Sequence, residues 1–329
     1  MNSIKLGILG ATGAVGREML RLLEEYALPV EELRLLSGKK SAGTQLFFHG
    51  KAHPVLEAGE ESFRGLDYVL GAAEAPVARL FAPAIRAGGA VFIDNSSAFR
   101  LDPEVPLVVP EINGADAFLH HGILANPNCS TIITLTAVAG IHALSPIRSM
   151  VVSTYQAVSG AGAQALAELE GELKAYAEGR SYPPAVFSAP IAMNLIPKIG
   201  QLLPNGYTDE EMKMQNEGRR ILHRPELAVS CTCVRVPVMR SHSISVSLWT
   251  EDPVSVDAAR EAIRRFPGCL LTVADPTPLD TEGQDLVYVG RLREDLSRPG
   301  GLSLWCCGDQ IRKGAAANAL QILLLLENR

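Results

Sequence analysis

The sequence predicts an α/β protein of two domains, and three observations carry that expectation. The chain has 329 residues, about twice the ~150 residues of a common single domain. Its first third alternates short apolar runs with amphipathic segments, the rhythm of a parallel sheet covered by helices on both faces. Past about residue 128 the runs lengthen and alternate in polarity, which belongs to a half-exposed antiparallel or mixed sheet.

Taken in order, Ile4 to Leu9 reads as a buried strand, and Val15 to Tyr26 as a helix with Met19, Leu20, Leu22 and Leu23 on or near one face. Leu33 to Leu36 is a second strand. The strand Tyr68 to Leu70, the helix Val77 to Arg86 and the strand Ala90 to Ile93 repeat the βαβ unit. Ile132 to Ala143 is an apolar helix, Ser149 to Gln156 a strand rich in β-branched residues, and Gln164 to Ala177 a more polar helix. A proline-rich connection from Pro183 to Pro204 follows. Two long strands are then expected, Ala228 to Val238 and Ser241 to Thr250; in the second, Ile244, Val246 and Leu248 alternate with serines. Lys313 to Glu327 closes the chain as an apolar helix. Residues 1–127 therefore form the first expected domain, and 128–311 an α+β domain around a mixed sheet.

Composition removes several classes of function. With 47% hydrophobic and 20% charged residues, the chain is too apolar for disorder. A formal net charge of −6 argues against an electrostatic hold on nucleic acid. The longest apolar runs, such as Ile322 to Leu326, fall well short of the ~20 residues of a membrane-spanning helix. The N-terminus enters a strand pattern with no cationic leader, so it does not read as a secretory signal. Six cysteines are too sparse for a disulfide scaffold, and a reducing cytoplasm is the expected compartment.

Gly10, Gly13 and Gly16 punctuate the turn between the first strand and the first helix. Glycine there permits a tight turn and lets amide N–H groups at the helix start face a pyrophosphate, as in a Rossmann-type dinucleotide-binding domain. The spacing is G-x-x-G-x-x-G, and an unliganded βα turn also satisfies it. An NAD site usually carries an acidic residue near the end of the second strand. Here Ser37 to Gly43 holds no carboxylate but does hold Lys39, Lys40 and Ser41. A ribose 2′-phosphate suits Lys40 and Ser41, so NADP is the expected cofactor. A solvated lysine pair is the plainer alternative.

Cys129 follows Asn126-Pro127-Asn128 at the head of an apolar helix, with Asn128 as N-cap. The positive helix end and its amide donors favour a thiolate there, able to attack an acyl carbon. Taken alone, a cysteine in this position is more often a small buried residue. Cys231-x-Cys233 lacks the second pair of ligands a zinc site needs, and no metal is expected. Gln156 ends a strand before the small-residue loop Ser159-Gly160-Ala161-Gly162. Arg235 interrupts an apolar strand and requires an anionic partner, either a substrate carboxylate or an internal glutamate. His242, just past an expected turn, serves either as a proton shuttle or as a structural histidine.

Several blocks occur in a fixed order: the glycine loop, Asn128-Cys129-Ser130-Thr131, Tyr155-Gln156-Ala157-Val158-Ser159-Gly160-Ala161-Gly162, Asn205 to Met214, and Cys233 to Val238 with Ser241-His242. Together they resemble the bacterial aspartate-semialdehyde dehydrogenases over essentially the whole chain. The resemblance implies NADPH-dependent reductive dephosphorylation of 4-phospho-L-aspartate to L-aspartate 4-semialdehyde, in biosynthesis of lysine, threonine, methionine and isoleucine. It implies Cys129 as the nucleophile that becomes an acyl-thioester and His242 as the general acid/base. Arg235, Gln156 and Glu210 would hold the amino-acid portion, and Arg100 and Lys213 the phosphate, assisted by Asn95. Cofactor contacts would fall on Gly10, Thr12, Gly13, Ala14, Val15, Gly16, Lys40, Ser41, Ser159, Gly160 and Asn318. A homodimer formed by the second domain is implied, with the C-terminal helix 312–329 completing the first. Considered singly, Arg100 and Lys213 read more readily as solvated surface charges. Two rival readings are a reductase of N-acetylglutamyl phosphate, which shares the cysteine and histidine logic, and a non-catalytic relative of the same fold.

Overall fold

The computed structural model describes residues 3–328; positions 1, 2 and 329, at the ends of the expected first domain and C-terminal helix, lie outside the described residues. The chain divides into two compact units: one runs to Asn128 and resumes at Ala315, and the other is Cys129–Gly314.

In the first unit, β1 (Ile4–Leu9), α1 (Ala14–Glu25) and β2 (Val30–Ser37) open a parallel arrangement. A hairpin of β3 (Gln45–Phe48) and β4 (Lys51–Glu57) follows, then β5 (Tyr68–Gly71), α2 (Ala75–Ala87), β6 (Val91–Asp94), the short α3 (Pro110–Asn113) and β7 (Ile123–Ala125). The seven strands lie in the order β3-β4-β2-β1-β5-β6-β7, all parallel neighbours except the β3/β4 pair. The hairpin is absent from the sequence expectation because Pro54 and the charged Lys51 break the apolar alternation of β4. Strand β1 has β2 on one side and β5 on the other. The connections therefore reverse direction at its carboxyl end, where open α/β sheets bind ligands.

The second unit begins with α4 (Cys129–Leu144), buried on every side over most of its length. It continues through β8 (Ile147–Gln156), α5 (Ala163–Ala177), α6 (Asp209–Ile221), β9 (Ala228–Arg235) and β10 (His242–Thr250). The remaining elements are α7 (Val256–Arg265), β11 (Cys269–Leu271), the short α8 (Pro278–Thr281), β12 (Val287–Glu294) and β13 (Leu302–Gly308). Six strands form a mixed sheet in the order β11-β12-β13-β10-β8-β9, and α4 packs on β10, β12 and β13. Strand β9 stops at Arg235 rather than at Val238, since Pro237 has no N–H to continue a ladder. Strand β10 starts at His242 because Ser241 sits at φ 73°, a left-handed conformation that cannot extend a strand.

The last segment also departs from expectation. The single predicted helix opens as a π-helical turn, Arg312–Ala316, before α9 (Ala317–Glu327). Asp309 organises the turn: its Oδ1 accepts from the amides of Ile311 and Arg312, both at 3.0 Å, and its carbonyl from Gly314 at 2.9 Å. Residues Arg312–Gly314 group with the second unit. From Ala315 the chain joins the first unit, where Leu320 and Leu323 share a core with Leu6, Ile8, Leu23 and Leu70.

Candidate active site

The three glycines of the first turn do three different things. Gly10 takes φ 90°, and a Cβ there would stand 2.6 Å from the Ala72 carbonyl oxygen. Gly13 is the N-cap of α1 and donates to the Gly10 carbonyl at 3.1 Å. Gly16 packs so closely on the Gly10 carbonyl that any side chain would collide with it. The result is a cradle of bare backbone at a helix N-terminus and a topological switch point, which fits a dinucleotide pyrophosphate. Gly13 is exposed there, and Thr12, Ala14 and Val15 are half-buried. Thr12 Oγ1 lies 3.1 Å from Ser37 Oγ at the end of β2. Beyond it Lys39 and Lys40 are exposed and Ser41 half-buried, with no carboxylate in the turn.

Elsewhere in this unit, Arg100 is buried rather than solvated. Its Nε donates to the Asn126 carbonyl at 2.9 Å and its Nη2 to the Asn95 carbonyl at 2.8 Å. Burial pushes the Asp94 carboxyl up, while hydrogen bonds from Ser96 and the charge of Arg100 oppose the shift. Asn318 is fully buried, and its amide nitrogen donates to the Val108 carbonyl at 3.0 Å and to Asn126 Oδ1 at 2.7 Å. In the fold, that amide is a clamp on the strand ends.

In the second unit a single end of the mixed sheet collects the reactive groups. Helix α4 begins at Cys129 itself. Strands β8 and β9 run parallel with Gln156 opposite Arg235, and β10 enters antiparallel to β8 with His242 as its first residue. The first two turns of α6 add Glu210 and Lys213. Cys129 Sγ lies 3.5 Å from His242 Nε2, and Gln156 Nε2 is also 3.5 Å from that nitrogen. Gln156 is held by Thr154 Oγ1, which donates to its Oε1 at 2.9 Å, and donates to Glu210 Oε1 at 3.3 Å. Lys213 Nζ donates to Glu210 Oε2 at 2.8 Å. Arg235 is buried and donates through Nη1 to the Ala157 carbonyl at 2.7 Å. Burial lowers the pKa of Arg235, against the opposing pull of Cys129 and Glu210.

The Ala157 amide donates to His242 Nδ1 at 3.1 Å. With Nδ1 an acceptor, the neutral ring carries its proton on Nε2, the nitrogen that faces the sulfur. Burial, and secondarily the Arg235 cation, push the His242 pKa down to about 3, so the ring is neutral at physiological pH. The sign of the stability effect follows. In the unfolded chain the group binds a proton near the ordinary 6.5, so between the two values the unfolded state holds more protons and stability falls as pH falls. Lowering the pH from 7 to 5 should cost about 2 kcal/mol through this residue. Urea unfolding at both pH values checks it: a His242→Gln variant should lose less stability than the parent over that interval, and an equal loss removes the effect.

Cys129, Gln156, Glu210, Lys213, Arg235 and His242 thus share one cluster. Ser159 and Gly160 sit beside it in the turn Val158–Ala161. A Cβ at Gly160 would lie 3.1 Å from Arg235 Nη1, and Gln310 Nε2 donates to Ser159 Oγ. Sequence reasoning passed over two participants. One is the Ala157 backbone, whose N–H meets His242 and whose carbonyl meets Arg235. The other is Gly314, where a Cβ would approach within 2.9 Å of Cys129 Cβ. Neither has a local signal, because one acts through its backbone and the other through a contact far along the chain. Cys231 and Cys233 place their sulfurs 3.8 Å apart. Among the described residues no group of three or more metal-ligating side chains could hold an ion.

Two family models match the chain: the NAD binding domain of semialdehyde dehydrogenases over residues 5–120 and their dimerisation domain over 138–313. The sequence is 47% identical to an aspartate-semialdehyde dehydrogenase of Synechocystis sp., over 99% of this chain and 98% of that protein. It is 46% identical to the one from Aquifex aeolicus, over 98% and 97%. The fold superposes on the crystal structure of aspartate semialdehyde dehydrogenase II from Vibrio cholerae with a TM-score of 0.96, at 39% identity and 99% coverage of both chains. That protein has also been solved complexed with ASA, at the same TM-score and identity.

Proposed function

The chain belongs to the aspartate-semialdehyde dehydrogenase family of dinucleotide-dependent oxidoreductases, and on that premise we propose that it reduces 4-phospho-L-aspartate to L-aspartate 4-semialdehyde and phosphate through an acyl-thioester on Cys129. The observation that carries this reading is the 3.5 Å approach of Cys129 Sγ to His242 Nε2 at the start of α4.

The roles are those the family resemblance assigns, and the cluster of Cys129, Gln156, Glu210, Lys213, Arg235 and His242 supports its share of them. The Cys129 thiolate, its proton released to solvent beforehand, attacks the acyl carbon; the C–O bond to phosphate breaks, phosphate leaves with that bond's electrons, and the thioester remains on the protein. Arg100, with Asn95 beside it, and Lys213 neutralise the departing phosphate. Arg235 pairs with the substrate α-carboxylate through its free fork, Glu210 accepts from the ammonium group, and Gln156 bonds the polar chain between them. His242, protonated on Nε2, donates a hydrogen bond to negative charge developing on sulfur or on the attached carbonyl oxygen. When bound, the reduced nicotinamide supplies the hydride that releases the aldehyde. The cofactor is read as NADP, held by Gly10 to Gly16 with Lys40 and Ser41 at the 2′-phosphate, and with Ser159, Gly160 and Asn318 assigned to the nicotinamide half. The family's place in amino-acid biosynthesis gives the product its use in making lysine, threonine, methionine and isoleucine.

Oxidation of aspartate semialdehyde by the purified protein, with either dinucleotide and with or without phosphate, tests the whole reading. Activity should require phosphate and should be at least ~10-fold higher in kcat/KM with NADP than with NAD, as expected for a matched cation–phosphate contact. Faster oxidation of N-acetylglutamate semialdehyde would move the substrate to the rival reductase, and inactivity on both would leave a non-catalytic relative.

A homodimer through the second unit is part of the proposal. The matching dimerisation model supports it, and large apolar side chains of this unit, Tyr176, Met193, Leu195 and Leu202, are exposed and available to a partner. Sedimentation should give twice the chain mass, and a monomer at micromolar concentration would exclude it. We assign the protein to the cytoplasm on its membership of a family of biosynthetic enzymes; separately, no helix among the described residues is long and apolar enough to cross a membrane.

A further inference from the structure

We infer that Glu211 is a positioning residue that sets substrate affinity by locking helix α6 to the outer edge of strand β9. The inference rests on the assignment of Glu210, Lys213 and Arg235 to the substrate, and it deepens that assignment.

Strand β9 pairs with β8 and ends its sheet. An edge strand leaves every second amide turned outward without a ladder partner, and such groups need another acceptor. Helix α6 supplies it. Glu211, Gln215 and Arg219 are spaced four residues apart, so they form one stripe along the helix. Each bonds the backbone of β9 or of its approach. Cys233 N donates to Glu211 Oε1 at 3.0 Å, Val229 N donates to Gln215 Oε1 at 3.1 Å, and Arg219 Nε donates to the Leu227 carbonyl at 2.8 Å. Helix and strand are thereby zipped together in opposite directions, with Glu211 at the end nearest the candidate site.

Glu211 differs from its two companions in carrying a second attachment. Its Oε2 accepts from the Thr208 amide at 2.7 Å, while Thr208 Oγ1 accepts from the Glu211 amide at 3.2 Å, closing a capping box at the start of α6. One buried carboxylate therefore uses one oxygen for the helix and one for the strand. On the helix side its neighbours are Glu210 and Lys213; on the strand side Arg235 follows Cys233 by two residues. The groups that hold opposite ends of the amino acid are thus tied to each other through this carboxylate, while the Ile196 backbone, which exchanges two hydrogen bonds with Arg235, holds the strand end itself. A glutamine can satisfy only one of the two amides with its oxygen and would turn an NH2 donor toward the other.

Steady-state kinetics of the full-length protein in the oxidative direction separate positioning from simple stability. Glu211→Gln should raise KM for aspartate semialdehyde and for phosphate by about tenfold, leave KM for NADP unchanged, and lower kcat by less than about threefold. Gln215→Ala, which opens the same zipper one turn away, should lower Tm without moving either KM. Wild-type KM values in Glu211→Gln, or an equal KM rise in Gln215→Ala, overturn the inference. If Glu211→Gln does not yield soluble protein, Glu211→Asp decides: one methylene shorter, it should show the same KM rise, and an unchanged KM refutes the role. A parent protein inactive on aspartate semialdehyde refutes the functional assignment and this inference together, whereas an active parent with unaffected variants refutes only the inference.

Discussion

Replacing Cys129 by alanine should lower kcat on the order of 10⁴-fold or more, the scale of losing a covalent nucleophile. The substitution removes the only atom at the head of α4 able to form the thioester, and no other cysteine stands in for it. Cys231 and Cys233 are hydrogen-bonded to each other, Cys269 donates to the Thr136 carbonyl, and burial holds the thiols of Cys306 and Cys307 above the ordinary range. The dinucleotide cradle at Gly10, Gly13 and Gly16 is untouched, so enhancement of NADPH fluorescence on binding should persist with its affinity changed by less than about threefold. Turnover near the parent rate in this variant would eliminate the covalent route.

The second large effect is expected at Arg235. Truncation to alanine should reduce kcat/KM by about 10²–10³-fold, because it strands a substrate carboxylate in a buried site beside the Glu210 anion. Arg235→Lys is the more instructive change. A lysine keeps the charge but lacks the fork that bonds the Ala157 carbonyl while leaving nitrogens for a ligand. Because the same residue's amide holds His242 Nδ1, loosening its carbonyl should also disturb the imidazole. The lysine variant is therefore expected to raise KM about tenfold and to lower kcat as well. A change in KM alone would show that Arg235 and His242 are not coupled through Ala157, and less than a threefold change in either constant would remove Arg235 from substrate binding.

Much of the architecture was legible one residue at a time. The alternation of Ile244, Val246 and Leu248 with serines marks β10 without any partner, because side chains on a strand alternate between two faces. The spacing of Met19, Leu20, Leu22 and Leu23 marks α1 for the same kind of reason. Strand β12 and the β3/β4 hairpin were not legible, since Pro54, Gly290 and the charged end of β12 blur any period that a window of a few residues can show.

Local pattern by itself determined the glycine turn, the apolar helix headed by Cys129, and which polar residues interrupt apolar strands. Those features follow from backbone sterics and from the burial of neighbouring side chains, which a short stretch of chain encodes. Tertiary structure alone decided that Gly314 lies against Cys129, that Ala157 joins Arg235 to His242, and that Glu211 bridges a helix to a strand edge. Each of these depends on contacts between segments distant along the chain. Their energies come from the desolvated surroundings that exist only once the sheet has closed around them.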